Sequence, residues 1–209
     1  RDAPNYGIAL TPLEVKNLPY CHRISEAPID ITPYYNKLAD RQDAVVALNT
    51  MLSVDALVIY VPRNTKVEHP IQISNVLKGE QDTMVNRRIL IILEQCAEAD
   101  IVITDKAVDQ MHFLSNQVVE VFAGDGSHLN LYEVEETHLL GTRYSSVFIQ
   151  QGRDSHLHHT SFTLFNGHTR NRMDVSLKGE GSEVILNGCV IADKTQHVDN
   201  NTLIDHQVS

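Results

Sequence analysis

From residue 89 onward, apolar side chains recur at every second position in short runs that end in polar turns. Ile89, Ile91 and Leu93 alternate in this way, as do Val119 and Val121, Leu129 and Leu131, Phe162 and Leu164, Val175 and Leu177, and Val184 and Leu186. A period of two is the mark of a β-strand with one buried face. The turns between runs repeat as well. Phe122–Leu131 reads FAGDGSHLNL and Leu177–Leu186 reads LKGEGSEVIL, while Leu93–Ile101 (LEQCAEADI) and Ile149–Leu157 (IQQGRDSHL) follow the same apolar, polar turn, apolar plan. Their first apolar residues stand at 93, 122, 149 and 177, at intervals of 29, 27 and 28, and a near-constant period of this size signals a repeat architecture.

Second turn signals fall between the first, at Gly141, at Asn166-Gly167 and at Ala192-Asp193, so that a turn arrives about every 14 residues. Glycine supplies a positive φ without a Cβ clash, and a neighbouring Asp or Ser can bond the turn backbone. Both a meander of antiparallel hairpins and a flattened β-helix with two strands per coil fit strands at this spacing. Stacked coils explain better why one turn sequence returns after a whole period, because equivalent side chains then lie above one another. The expected fold is therefore all-β, a right-handed parallel β-helix with two strands per coil, preceded by a short helical N-terminal segment.

Residues 1–53 read differently from residues 54–209, which form the expected β-helix core. Pro4, Pro12, Pro19 and Pro28 suit an extended lead-in, and Thr32-Pro33 resembles an N-cap followed by proline at the first helical position. Val45, Leu48, Met51 and Leu52 recur at helical spacing and predict a helix from about Arg41 to Ser53 that packs on the sheet. Ala56–Val61 then reads as a strand stopped by Pro62, and Val67–Val76 as a second one interrupted at Pro70.

Composition narrows the function classes. With 209 residues, 42% of them apolar and 21% charged, the chain has an ordinary globular balance and can bury roughly 70% of the surface its unfolded form exposes. A net charge of −10 opposes nucleic acid and anionic membrane surfaces. Its longest apolar runs, such as Ile89–Leu93, fall far short of the roughly 20 residues a bilayer span needs. No secretory signal stands at the start, so the cytoplasm is the expected location. Cys21, Cys96 and Cys189 lie far apart without CxxC spacing, which supports neither a disulfide framework nor a four-thiolate metal site and leaves plain packing as their expected role.

Three segments, Asp55–Val76 (DALVIYVPRNTKVEHPIQISNV), Asn86–Ile101 (NRRILIILEQCAEADI) and Leu177–His206 (LKGEGSEVILNGCVIADKTQHVDNNTLIDH), resemble the core of the SufB and SufD scaffolds of the SUF iron-sulfur cluster assembly system, with SufD the closer match. The resemblance covers about residues 43 to 209. It implies a parallel β-helix core and a non-catalytic scaffold that pairs with a SufB-like subunit and the SufC ATPase, so that iron-sulfur cluster and ATP reach the chain only through partners. The absence of a GxxxxGK[ST] phosphate loop agrees. This sequence stops at Ser209, before the Cys-Ser-His-Gly motif and C-terminal helical segment of the family, so the C-terminal part of the family's chain is expected to be absent. Cys96 stands where the family commonly has glycine, and Cys189 where an apolar residue is usual; neither matches a cluster ligand.

Two other chemistries find partial support in the sequence. His156 and His158 form the HxH pair that opens a cupin metal motif, which makes a cupin-like metal-dependent enzyme the alternative function, but the following TSFTLFNG lacks the required glutamate. A polysaccharide-active β-helix needs clustered carboxylates, whereas Glu133, Glu135 and Glu136 read as a solvated charge run. The segment QHVDNNTLIDH carries ligand-type residues that fit a metal site, a polar ladder bonding turn backbone, or a partner surface. His197, Asp199, Asn200, Asp205 and His206 are carried forward as the expected protein interface, because an uncovered β-helix end exposes unpaired backbone. No catalytic, cofactor-binding or metal-ligating residue is expected, and a homodimer is a possible cover for that end in isolation.

Overall fold

The computed structural model describes residues 19–78 and 82–208. Its strands are β1 (Cys21–Arg23), β2 (Leu57–Val61), β3 (Ile71–Leu77), β4 (Thr83–Leu93), β5 (Glu98–Ala107), β6 (Phe113–Ala123), β7 (His128–Glu136), β8 (Gly141–Gln151), β9 (His156–Phe165), β10 (His168–Leu177), β11 (Glu183–Val190) and β12 (His197–His206). One helix, α1 (Ala44–Leu52), precedes β2.

From β2 onward the chain deals its strands alternately into two sheets. One runs β2-β4-β6-β8-β10-β12 with β1 at its outer edge, and the other runs β3-β5-β7-β9-β11; they are called here the even and the odd sheet. Every sheet neighbour is parallel except β1, which pairs antiparallel with β2 through Cys21 and Ile59. The molecule is thus a β-solenoid of about five coils, two strands per coil, and the meander is excluded.

The recurring turn is the corner that leads from an even strand to an odd one. Asn64, Cys96, Gly126, Asp154 and Gly181 occupy its equivalent position in successive coils, all at φ between 53° and 70°. In the first four coils the N–H at this position donates to a carbonyl of the next coil: Asn64 to Gln95 and Cys96 to Asp125 at 2.9 Å, Gly126 to Arg153 at 2.8 Å, and Asp154 to Glu180 at 2.9 Å. Left-handed backbone favours Gly, Asn and Asp, which accounts for all but Cys96. The serine that follows closes the turn, with Ser155 and Ser182 donating through Oγ to the carbonyls of Gly152 and Gly179 at 2.8 Å. A fifth copy at Val61–Thr65 escapes the sequence pattern because Pro62 and Asn64 replace its glycines.

Alternate residues of both sheets meet inside the solenoid. Ile89, Ile91, Leu93, Ile101, Ile103, Val119, Val121, Leu129, Leu131, Ile149 and Val175 form one buried cluster. The outer faces of the two sheets differ. Val58, Leu90 and Ile92 on the even sheet lie beneath Ile24, Ile29, Ile31, Tyr34 and Tyr35, and Val118 and Phe148 lie beneath Leu38, Ala39 and Val46. The odd sheet keeps a solvent face, as the strict buried-exposed alternation of β3 shows.

The N-terminal segment departs from its sequence reading in two places. Thr32-Pro33 begins a turn rather than a helix, because the fully buried carboxylate of Glu120 captures the N–H groups of Asn36 and Leu38 at 2.7 Å and of Ala39 at 3.1 Å, bending the chain through Asn36 at φ 58°. The helix expected from about Arg41 runs over Ala44–Leu52 and is capped by Asp43, whose Oδ1 accepts from Val45 N at 2.8 Å and Val46 N at 3.3 Å. It buries Val46 and Asn49 rather than the Val45, Leu48, Met51 and Leu52 stripe, and Met51 is 78% exposed. Asn49 Nδ2 reaches the carbonyls of Arg87 and Asn116 at 3.0 and 2.9 Å, so polar anchoring selects the face. Pro4 and Pro12 of the expected lead-in lie outside the described residues.

Candidate functional site

The interior of the solenoid is apolar beside the repeated corner and ionic beside the other. Inward positions at the start of the even strands hold Arg87, Ser115, Gln117, Arg143 and Ser145; those toward the end of the odd strands hold Asn75, Asp105, Glu133, Glu135 and Thr163; all are buried. Asp105 accepts from Asn75 Nδ2 at 3.0 Å, from Arg143 Nε at 2.6 Å and from Arg87 Nη1. Glu133 accepts from Ser145 Oγ at 3.0 Å, Gln117 Nε2 at 3.1 Å and Arg143 Nη2 at 3.2 Å, and meets His159 Nε2 at 3.0 Å. Arg143 Nη1 donates to Asn171 Oδ1 at 2.7 Å, and Asn171 Nδ2 to Asn200 Oδ1 at 2.9 Å. A hydrogen-bonded thread therefore runs from β3 to β12.

Burial alone pushes the Asp105 carboxyl up, but the charges of Arg87 and Arg143 outweigh it and hold the group well below the usual carboxylate range. Burial opposes ionisation of Glu133 too, yet the bond from His159 and the charge of Arg143 bring it down to about 2. Glu135 is the exception: burial raises it despite Arg143 and a 2.9 Å bond from Thr169 Oγ1. Buried ions need such partners, since an unpaired charge in a protein interior is costly. Glu133 and Glu135 continue the inward parity of Leu129 and Leu131, so the solvated reading of this charge run holds only for Glu136, which pairs with Lys106 at 3.0 Å. The thread went unseen in the sequence because charge was read as surface; the signal was present as Arg87 two positions before Ile89 and Asp105 two after Ile103.

The five residues expected at an interface all lie on β12 but not on one face. Asn200 continues the interior thread, and His206 aligns with the inward Leu177, whereas Asp199 faces outward to Arg170 at 3.7 Å and His197 tilts against His168 at 5.9 Å. Asp205 shares the outward parity and bonds Gln207 Nε2 at 2.7 Å. Around them Leu203 and Ile204 are exposed, as is Ile185 on β11.

His156 and His158 do share the outer face of the odd sheet. Each has a different neighbour: His156 stacks on His128 with ring centroids 4.5 Å apart, and His158 Nε2 bonds Asn187 Nδ2 at 2.8 Å. As the side chains stand, no three His, Cys, Asp or Glu groups among the described residues converge on a metal position. A cupin is an antiparallel double-sheet jelly roll, so the parallel ladders remove that reading of the pair. Cys21 is buried, its thiol pushed up to about 11 by burial, and Cys96 and Cys189 are exposed and distant from one another. A groove of about 450 Å³ lies beside the repeated corner over Tyr34, Ile92 and Phe122, with Arg63, Glu94 and Asp125 at its rim.

Parallel two-stranded coils with an N-terminal strap on one sheet define the class of the protein, a β-solenoid. No helix among the described residues is long and apolar enough to cross a membrane. The model of the SUF system FeS cluster assembly SufBD core domain matches residues 75–209, and that of the SufBD protein N-terminal region matches residues 11–73. The chain belongs to the SufB/SufD family and, with it, to the SUF system of iron-sulfur cluster assembly. No curated protein is matched by the chain.

Proposed function

We propose that the chain is a SufD-like scaffold subunit that performs no catalysis itself, pairs in the cytoplasm with a SufB-like subunit and a SufC-like ATPase, and meets iron-sulfur cluster and ATP only through those partners. The observation that supports this reading is the regular parallel stack of coils, matched over residues 75–209 by the SufBD core domain. On its last described coil, formed by β11 and β12, Ile185 and Leu203 are each 55% exposed. The SufB-like subunit is the occupant in this reading, with His197, Asp199 and Asp205 at the rim of the contact and Asn200 and His206 at its centre.

The test is co-purification of the tagged chain with its SufB-like and SufC-like subunits, comparing wild type with Ile204→Lys, which places a cation at the inward end of β12. Loss of the SufB-like subunit, with circular dichroism unchanged, supports the contact. Undiminished capture of that subunit by a folded variant overturns it.

A further inference from the structure

We propose that the outer face of the odd sheet carries a tri-imidazole site for one divalent late transition metal ion, such as Zn²⁺ or Ni²⁺, formed by His128, His156 and His158. The inference is independent of the scaffold reading and uses none of the residues on β12.

Parallel register sets the three imidazoles. His128 of β7 lies directly beside His156 of β9, on strands that run about 4.8 Å apart. His158 follows His156 by two positions on the same face, a Cα step of about 6.6 Å. Neither separation exceeds what two imidazoles can close when both reach one ion at about 2.0–2.1 Å. The rings of His128 and His156 are stacked face to face, 17° from parallel, so the ligating geometry arises by turning the imidazoles about their side-chain torsions, with the backbone fixed by its ladders.

The surroundings favour such an ion. Glu183 Oε2 lies 3.2 Å from His156 Nδ1, an arrangement that orients the ring and leaves Nε2 as the ligating atom, as carboxylates behind metal-bound histidines do. Asn187 Nδ2 donates to His158 Nε2 at 2.8 Å, which keeps on that nitrogen the lone pair an ion would take over. The same register places Glu98 next to His128 and Asp100 next to Asn130, so carboxylates flank the cluster in a chain of net charge −10. Lys66 is the cation of this row, and it is held by Glu98 at 2.6 Å. Three nitrogen donors select Zn²⁺, Ni²⁺, Co²⁺ or Cu²⁺ over Mg²⁺ or Ca²⁺, which prefer oxygen. The other cross-coil pair, His168 and His197, has ring centroids 5.9 Å apart and Arg170 beside it, and it lacks a third imidazole among its register neighbours.

Isothermal titration of the purified chain with ZnCl₂ and, separately, NiCl₂ tests the site. One saturable equivalent is expected. His128→Ala and His158→Ala should each weaken it by about tenfold or more, and Glu183→Gln by about tenfold, the usual effect of removing a carboxylate behind a ligating histidine. The His168→Ala/His197→Ala double variant should bind as wild type does. The proposal is overturned by the absence of a saturable equivalent, by binding that survives the combined loss of His128 and His158, or by loss of binding in the His168/His197 variant. All these side chains project from an exposed sheet face, and an unchanged circular dichroism spectrum confirms that each variant is folded.

Discussion

The two halves of the solenoid interior are built from the same alternation and hold together by different physics. Beside the repeated corner, Ile89, Ile91, Leu131 and Ile149 bury hydrocarbon against hydrocarbon, an attraction that is non-directional and scales with area removed from water. Beside the other corner, Arg87, Asp105, Glu133, Arg143 and His159 occupy equivalent inward positions through salt bridges and short hydrogen bonds. The apolar half asks of each inward position only an apolar side chain of fitting volume. The ionic half asks for more, because a slip of one register position removes a partner from a buried charge. Hydrophobic burial thus supplies cohesion along the stack, and the ionic thread fixes which residue of one coil faces which residue of the next.

Removing Arg143 should produce the largest effect on stability. Its guanidinium bonds both Asp105 and Glu133 from a site only 3% exposed, so Arg143→Met strands two buried carboxylates and should cost about 3–5 kcal/mol, read as a lower urea midpoint by circular dichroism. The double variant Arg143→Met/Glu133→Gln should regain part of that loss, because Asp105 keeps its partner Arg87 and position 133 no longer carries a charge; a double variant weaker than the single one would show that the thread contributes more than mutual neutralisation. In the apolar half, Ile91→Ala should cost about 2–5 kcal/mol from lost burial and an unfilled cavity. Its effect should not depend on pH, which separates the two halves experimentally.

The fold was legible where the chemistry is local. Turn chemistry recurs because each corner needs one left-handed residue, and glycine or an acid with a following serine announces it in three of the five copies, those around Gly126, Asp154 and Gly181. The inward parity of Leu129 and Leu131 continues through Glu133 and Glu135, but their charge gives a solvated reading from sequence: the partners that make burial tolerable come from positions 10 to 38 residues away. The N-cap expected at Thr32-Pro33 is absent for a related reason. Glu120, 84 residues downstream of Asn36, captures the backbone that Thr32-Pro33 would otherwise launch into a helix. The pairing of His156 with His128 was likewise invisible, because the HxH spacing advertises a neighbour two residues away and the coil supplies one from the preceding strand.

Acid sharpens the comparison further. Glu133 is held at about 2 in the folded chain against an ordinary value of 4.5, so between those limits the unfolded chain binds more protons, and its contribution to stability is lost as pH falls through that window. Asp105 is depressed as well and adds in the same direction. Glu135 has the opposite sign: its raised value means that the folded chain holds the proton more tightly, and this stabilisation is present at low pH and lost as pH rises. Urea midpoints should therefore drop from pH 5 to pH 3 in wild type and in Ile91→Ala, and drop less in Glu133→Gln. Glu135→Gln should match wild type near pH 4 and exceed it near pH 8. Parallel pH profiles for wild type and Glu133→Gln would contradict the assignment.

The smallest effect is expected where the same charges meet on the outside. Lys66 and Glu98 form a 2.6 Å ion pair, closer than Arg143 to Glu133 at 3.2 Å, yet their side chains are 75% and 43% exposed. Water screens such a pair, and fixing two long side chains in one geometry opposes what attraction remains. Lys66→Ala should leave the urea midpoint and its pH dependence unchanged, in low salt as well as in 1 M NaCl. If it instead lowers the midpoint in low salt alone, the charge row on the odd sheet contributes to coil stacking, and distance rather than burial would govern what an ion pair is worth in this solenoid. The contrast with Arg143 is therefore chiefly one of access to water: Lys66 and Glu98 bridge adjacent coils on an exposed face, whereas Arg143 and Glu133 meet across the buried interior between the two sheets.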